Sequence, residues 1–141
     1  MSRINLGRVL LGGILAGVVL NVGEYVLNEV VMAAEMRQMM AKHNFTMPTG
    51  PNFMIMAVGV TLLLGIVMIA VYALIRPRLG PGPKAAIVAA LVMWFGVYLY
   101  NAGFFIMIFG TPAKSMAIAC VWALVEYSLA AIAGAWIYRE A

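Results

Sequence analysis

The chain has 141 residues, of which 65% are hydrophobic and only 10% are charged, and its net charge is +4. Soluble domains carry about 25% charged residues, so a water-soluble fold is excluded. The basic residues form no dense patch and sit between apolar blocks, where topology signals sit, which argues against a nucleic-acid partner. Cys120 is the single cysteine, so the chain can form no internal disulfide, no CxxC redox pair and no thiolate zinc site.

Arg3 and Arg8 precede the first apolar run, as they would in a signal peptide. No small-x-small cleavage site follows at the right distance, and the apolar run continues to Met32. The segment is therefore read as a retained first span, from about Leu6 to Met32. Three further spans follow, from Phe53 to Ile75, from Ala85 to Phe109 and from Ala113 to Tyr138. Each exceeds the roughly 20 residues that cross a bilayer core. Helices are required, because lipid offers no partner to open backbone groups and nothing here alternates like barrel strands. The expected fold is all-α: one membrane domain over residues 1–141, built as a bundle of four transmembrane helices.

The first span carries its information in Gly13, Gly17, Asn21, Glu24 and Asn28, which share one helix face. Beyond it, Met32, Met36, Met39, Met40 and His43 recur at helical spacing between Glu35, Arg37, Gln38 and Lys42. This predicts an outward interfacial amphipathic helix over about 33–44. Pro48-Thr49-Gly50-Pro51 opens the second span, and Arg76-Pro77-Arg78-Leu79-Gly80-Pro81-Gly82-Pro83 closes it. Gly110-Thr111-Pro112 predicts a tight turn, with Gly110 ending one helix, Thr111 capping the next and Pro112 in its first turn.

Six Lys and Arg residues lie at the termini and the second connection, against three in the first and third connections. That bias predicts a bacterial cytoplasmic-membrane protein with both termini in the cytoplasm. Asn21-Val22-Gly23-Glu24-Tyr25 echoes Asn101-Ala102-Gly103-Phe104-Phe105, and IAVYALIR echoes IAGAWIYR. The two hairpins are thus a candidate duplication.

Small residues should mark the helix contacts: Gly13 and Gly17 on span one, Ala57, Thr61 and Gly65 on span two, and Gly96, Tyr100 and Gly103 on span three. Span four offers Ala119, Ala123, Glu126, Ala130 and Ala133. Both intramembrane glutamates lie on such stripes and should face the bundle interior. No basic residue lies at their depth, and low dielectric disfavours a lone carboxylate. Three roles are open to Glu24 and Glu126. They can bond across helices to Asn21, Asn101 or a Tyr hydroxyl, handle a proton or cation, or pair with a group on another subunit. Asn21, Glu24, Tyr100, Asn101 and Glu126 form the candidate ligand-binding or proton-handling set.

Met36, Met40 and His43 are a second candidate, as thioether and imidazole ligands for Cu(I) or haem. The competing reading is a flexible apolar face on an interfacial helix. Nucleophilic catalysis has little support, since Ser115, Ser128 and Cys120 have no histidine within a span. Two glutamates could still act as general acid and base on a lipid.

Four short spans with a glutamate in the first resemble small multidrug exporters in architecture. Glu24 comes late in its span and the first connection is long, so that likeness carries no residue roles. The span count and the Gly23-Glu24-Tyr25 end of span one also resemble small, uncharacterised four-span integral membrane proteins of bacteria, which implies a fold and no activity. The leading expectation is a non-enzymatic component of the lipid bilayer that packs with itself as a homo-oligomer or within a larger membrane complex. The alternative is a small proton- or cation-coupled transporter or ligand-binding protein built on Glu24 and Glu126.

Overall fold

The computed structural model describes residues 3–140, which form five helices and no strand. We number them α1 (Leu6–Val31), α2 (Ala33–Lys42), α3 (Pro51–Leu79), α4 (Pro83–Phe109) and α5 (Ala113–Ile137). Among the described residues, α1, α3, α4 and α5 are each long and apolar enough to cross a membrane. The protein is an all-α four-helix membrane bundle, and the spans lie close to the positions that the apolar blocks predict.

Local chemistry sets the helix ends. The Asn5 side chain accepts a hydrogen bond from the Arg8 N–H at 3.1 Å and caps α1. Pro51 and Pro83 stand in the first turns of α3 and α4, where a missing N–H costs nothing. α3 runs on to Leu79, past the expected end at Ile75, and carries Pro77 inside its last turn. So near the helix end the proline removes little, and the Gly80 N–H still reaches the Arg76 carbonyl at 2.8 Å.

The turn between α4 and α5 needs one correction. Gly110 ends α4 in the left-handed conformation, as expected, but Thr111 does not cap α5. Its hydroxyl turns to the Met39 sulfur at 3.9 Å. The carbonyl of Pro112 instead accepts from the N–H groups of Ser115 and Met116.

The helices form a ring in the order α1, α3, α4, α5, with α1 packing most closely on α3 and α5. Glycines make this approach possible, as lipid-embedded bundles require. A side chain on Gly65 would strike the backbone of Gly13 and Gly17, and one on Gly12 would strike the carbonyl of Gly134. The expected stripe on span three does not face the bundle: Gly96, Tyr100 and Gly103 are exposed. Ala85, Ala86, Ala89 and Ala90 make that helix's buried face, because only its first half lies close to its neighbours.

The echo between the hairpins does not extend to environment. Gly23 packs against Glu126, whereas Gly103 has open space around its Cα.

Packing is tight at the end that holds both termini, where Met68, Ile69, Tyr72, Ala130 and Ala131 are all buried. There Tyr138 stands edge-on to Tyr72, with ring centroids 5.7 Å apart, and Glu140 bonds Arg76 at 2.7 Å. At the opposite, distal end the helices part. No residue of α4 from Phe95 to Phe109 is buried, and the bundle opens around a cavity.

Candidate functional site

Two helices depart from regular α geometry beside this cavity. Leu27–Val31 of α1 and Phe95–Leu99 of α4 are π-helical turns. In the first, the Met32 N–H skips a residue to bond the Leu27 carbonyl at 2.7 Å. Each turn inserts one extra residue, redirects the side chains around it and frees a carbonyl; such turns recur at functional sites. In α4 the carbonyls of Gly96 and Val97 accept bonds from the Asn101 amide at 3.2 and 3.0 Å.

Glu24 lies one turn before the first π-turn, and both partners of its carboxyl group come from π-turns. The Tyr98 hydroxyl donates to Oε1 at 2.5 Å, and the Asn28 amide donates to Oε2 at 3.2 Å. The same Asn28 amide also donates to the Glu24 main-chain carbonyl at 2.8 Å. α1 and α4 stand diagonally across the ring, so the long Tyr98 side chain is what spans the bundle. Tyr98 is held in turn against Tyr127 of α5, ring edge to face, at 5.7 Å between centroids.

The cavity that Glu24 faces has a volume of about 500 Å³ and takes its walls from all four spans. Thr61, Asn101, Cys120 and Tyr127 share its lining with Glu24 and Tyr98, and Met32 and Met36 close it on the α2 side. No lysine, arginine or histidine stands among the residues of the wall. α2 is tied to the α4–α5 turn: His43 Nε2 lies 3.1 Å from the Phe109 carbonyl, and the two rings meet edge to face.

Glu126 is placed differently. It is 5% exposed on α5 and lies at the contact between α5 and α1, against Gly23, without lining the cavity. The Trp122 indole N–H donates both to Glu126 Oε2, at 3.1 Å, and to the Gly23 carbonyl, at 3.2 Å. Oε1 is buried without a hydrogen-bond partner.

Of the residues that the sequence singles out, Glu24 and Asn101 line the cavity. Asn21 does not line it; its amide is bonded to the carbonyls of Gly17 at 2.9 Å and Val58 at 3.4 Å, tying α1 to α3. Tyr100 is turned outward and packs on Phe104. Glu126 does not line this cavity; it stands in the wall of a separate groove between α1 and α5. Met36 lines the cavity, whereas Met40 and His43 do not reach it. Among the described residues no three His, Cys, Asp or Glu side chains converge as metal ligands.

Tyr98 and Tyr127 are the members that residue patterns alone left out, while Asn28 shares the Glu24 face but stands outside the candidate set. An aromatic side chain at that depth reads as packing unless the π-turn that aims it is known.

Compared with known proteins, the chain matches no family model, and neither a curated protein nor a solved structure is detectably similar to it.

Proposed function

We propose that this protein binds an amphipathic cation within the depth of the bilayer, as the binding step of a small proton- or cation-coupled transporter. The observation that carries the reading is the cavity wall: it holds one carboxyl group, Glu24, and no basic residue to neutralise it. Carboxyl groups that face a cavity within the membrane mark ion and substrate sites. The Tyr98 and Tyr127 rings offer electron-rich faces to a cation, and the Met and Leu side chains around them offer contact to its apolar part. Glue between helices would explain the bond from Glu24 to Tyr98, but a packing contact has no use for the space beside it.

Cys120 gives the test, because it is the chain's one cysteine and lines the cavity. Tetraphenylphosphonium should slow alkylation of Cys120 by N-ethylmaleimide in the wild type and leave it unchanged in Glu24→Gln. Equal rates with and without the cation in the wild type would sink the reading.

We further read the membrane as the bacterial cytoplasmic membrane and the termini as cytoplasmic, on the support of six Lys and Arg residues at that end against three at the other.

A second reading, self-association within the membrane, is favoured by one observation. Gly96 and Gly103 face outward on α4 with nothing within 4 Å, leaving a small-residue face open to another helix. Oxidative cross-linking of Gly103→Cys in a Cys120→Ala background should trap dimers in native membranes if that face is used.

A further inference from the structure

A second opening lies on the other side of α1, outside the Glu24 site. α1 and α5 diverge toward the distal end and leave a groove of about 760 Å³ between them. Val22, Val121, Val125 and Leu129 form its sides and are all more than half exposed, so the groove faces the surroundings of the bundle and not its interior. Gly23 and Ala117 deepen it, and the Trp122 indole stands in its wall.

Its charges are arranged unevenly. Lys114, in the first turn of α5, sits at the distal mouth. The other ionisable residue of the wall, Glu126, has its carboxyl drawn onto Gly23 and bonded by Trp122, so it is not presented to the groove as an open charge. The result is a long apolar slot with one exposed positive charge at the end that meets the membrane surface. From Lys114 to Leu129 the slot runs about 22 Å along α5 at 1.5 Å per residue. One leaflet of hydrocarbon is about 15 Å deep, so the slot is long enough to take a single acyl chain through the full depth of its leaflet.

We propose that this groove seats one acyl chain of an anionic phospholipid, with the lipid phosphate held at Lys114. Charge complementarity at the mouth selects the headgroup, and the apolar slot takes the chain whatever its headgroup. A neutral lipid therefore enters less readily, and removing the lysine abolishes the preference without closing the slot.

The test uses Trp122 as a reporter in the full chain carrying Trp94→Phe and Trp136→Phe, reconstituted with phosphatidylcholine and small fractions of brominated lipid. Brominated phosphatidylglycerol should quench Trp122 about fivefold more effectively per mole than brominated phosphatidylcholine, the advantage of one lysine near an anionic headgroup. Lys114→Gln should make the two lipids equal. Native mass spectrometry of the protein with its tryptophans intact gives a second reading. Phosphatidylglycerol should be retained by the wild type and lost from Lys114→Gln. Equal quenching with Lys114 present, a preference that survives Lys114→Gln, or no quenching by either lipid because a second copy fills the groove, each overturns the proposal.

Discussion

The carboxyl group of Glu126 fills the space that a side chain on Gly23 would occupy. Trp122 locks the pair by donating to both, so α1 and α5 meet through a glycine, an acid and an indole at one level. Gly23→Ala should therefore force the acid out of its seat. Overpacking of this kind costs about 1–3 kcal/mol. Thermal melting in detergent should show the loss, and Glu126→Ala on the Gly23→Ala background should recover part of it, because the two changes share one space.

Gly65→Ala should be more damaging than Gly23→Ala, although both glycines face a neighbouring helix. At Gly65 the added carbon meets the backbone of α1, which cannot rotate away as a side chain can. Gly59→Ala on the same helix meets nothing within 4 Å and should melt like the wild type. If Gly65→Ala also melts like the wild type, the close α1–α3 approach described above is wrong.

The Glu24 site separates stability from binding. Glu24→Gln keeps an oxygen for the Tyr98 hydroxyl and should change the melting temperature little, while removing the charge that a cation needs. Tyr98→Phe removes a donor from a half-buried acid and should cost about 1–2 kcal/mol. Protonation of Glu24 has the same sign of effect as Glu24→Gln, so cation binding should weaken as the pH is lowered. Equilibrium dialysis across a pH series reads this directly.

At the terminal end, the ion pair and the aromatic contact should contribute unequally. The Arg76–Glu140 pair is partly exposed, and Glu140→Ala should cost no more than about 1 kcal/mol. Tyr138 is 4% exposed and packs on both Tyr72 and the Arg76 guanidinium. Tyr138→Ala should cost about 3–5 kcal/mol, as a large cavity does. The ranking, measured by denaturant titration, matters more than either value.

Much of the fold was legible because lipid leaves few options. An apolar block of membrane length must be a helix, and Pro51, Pro83 and Gly110 mark its ends by rules that depend only on neighbouring residues. The inward turn of Gly13, Gly17 and Glu24 was legible for the same reason, since small and polar residues gain nothing from lipid contact. The stripe of Gly96, Tyr100 and Gly103 misled, because small residues permit a close approach without requiring one. Tyr98 could not be assigned from spacing, since a π-turn shifts the helical phase by one residue and leaves no mark in composition. The seat of Glu126 against Gly23 and Trp122 was not legible either, because which neighbour a side chain meets depends on how the helices pack.

The most direct test of the account is calorimetric titration of tetraphenylphosphonium into the purified protein in detergent, for the wild type and for Glu24→Gln. Saturable binding of one cation per chain to the wild type, lost in a Glu24→Gln protein of unchanged melting temperature, is the predicted result. Absence of saturable binding to the wild type, or equal binding to both proteins, would contradict it.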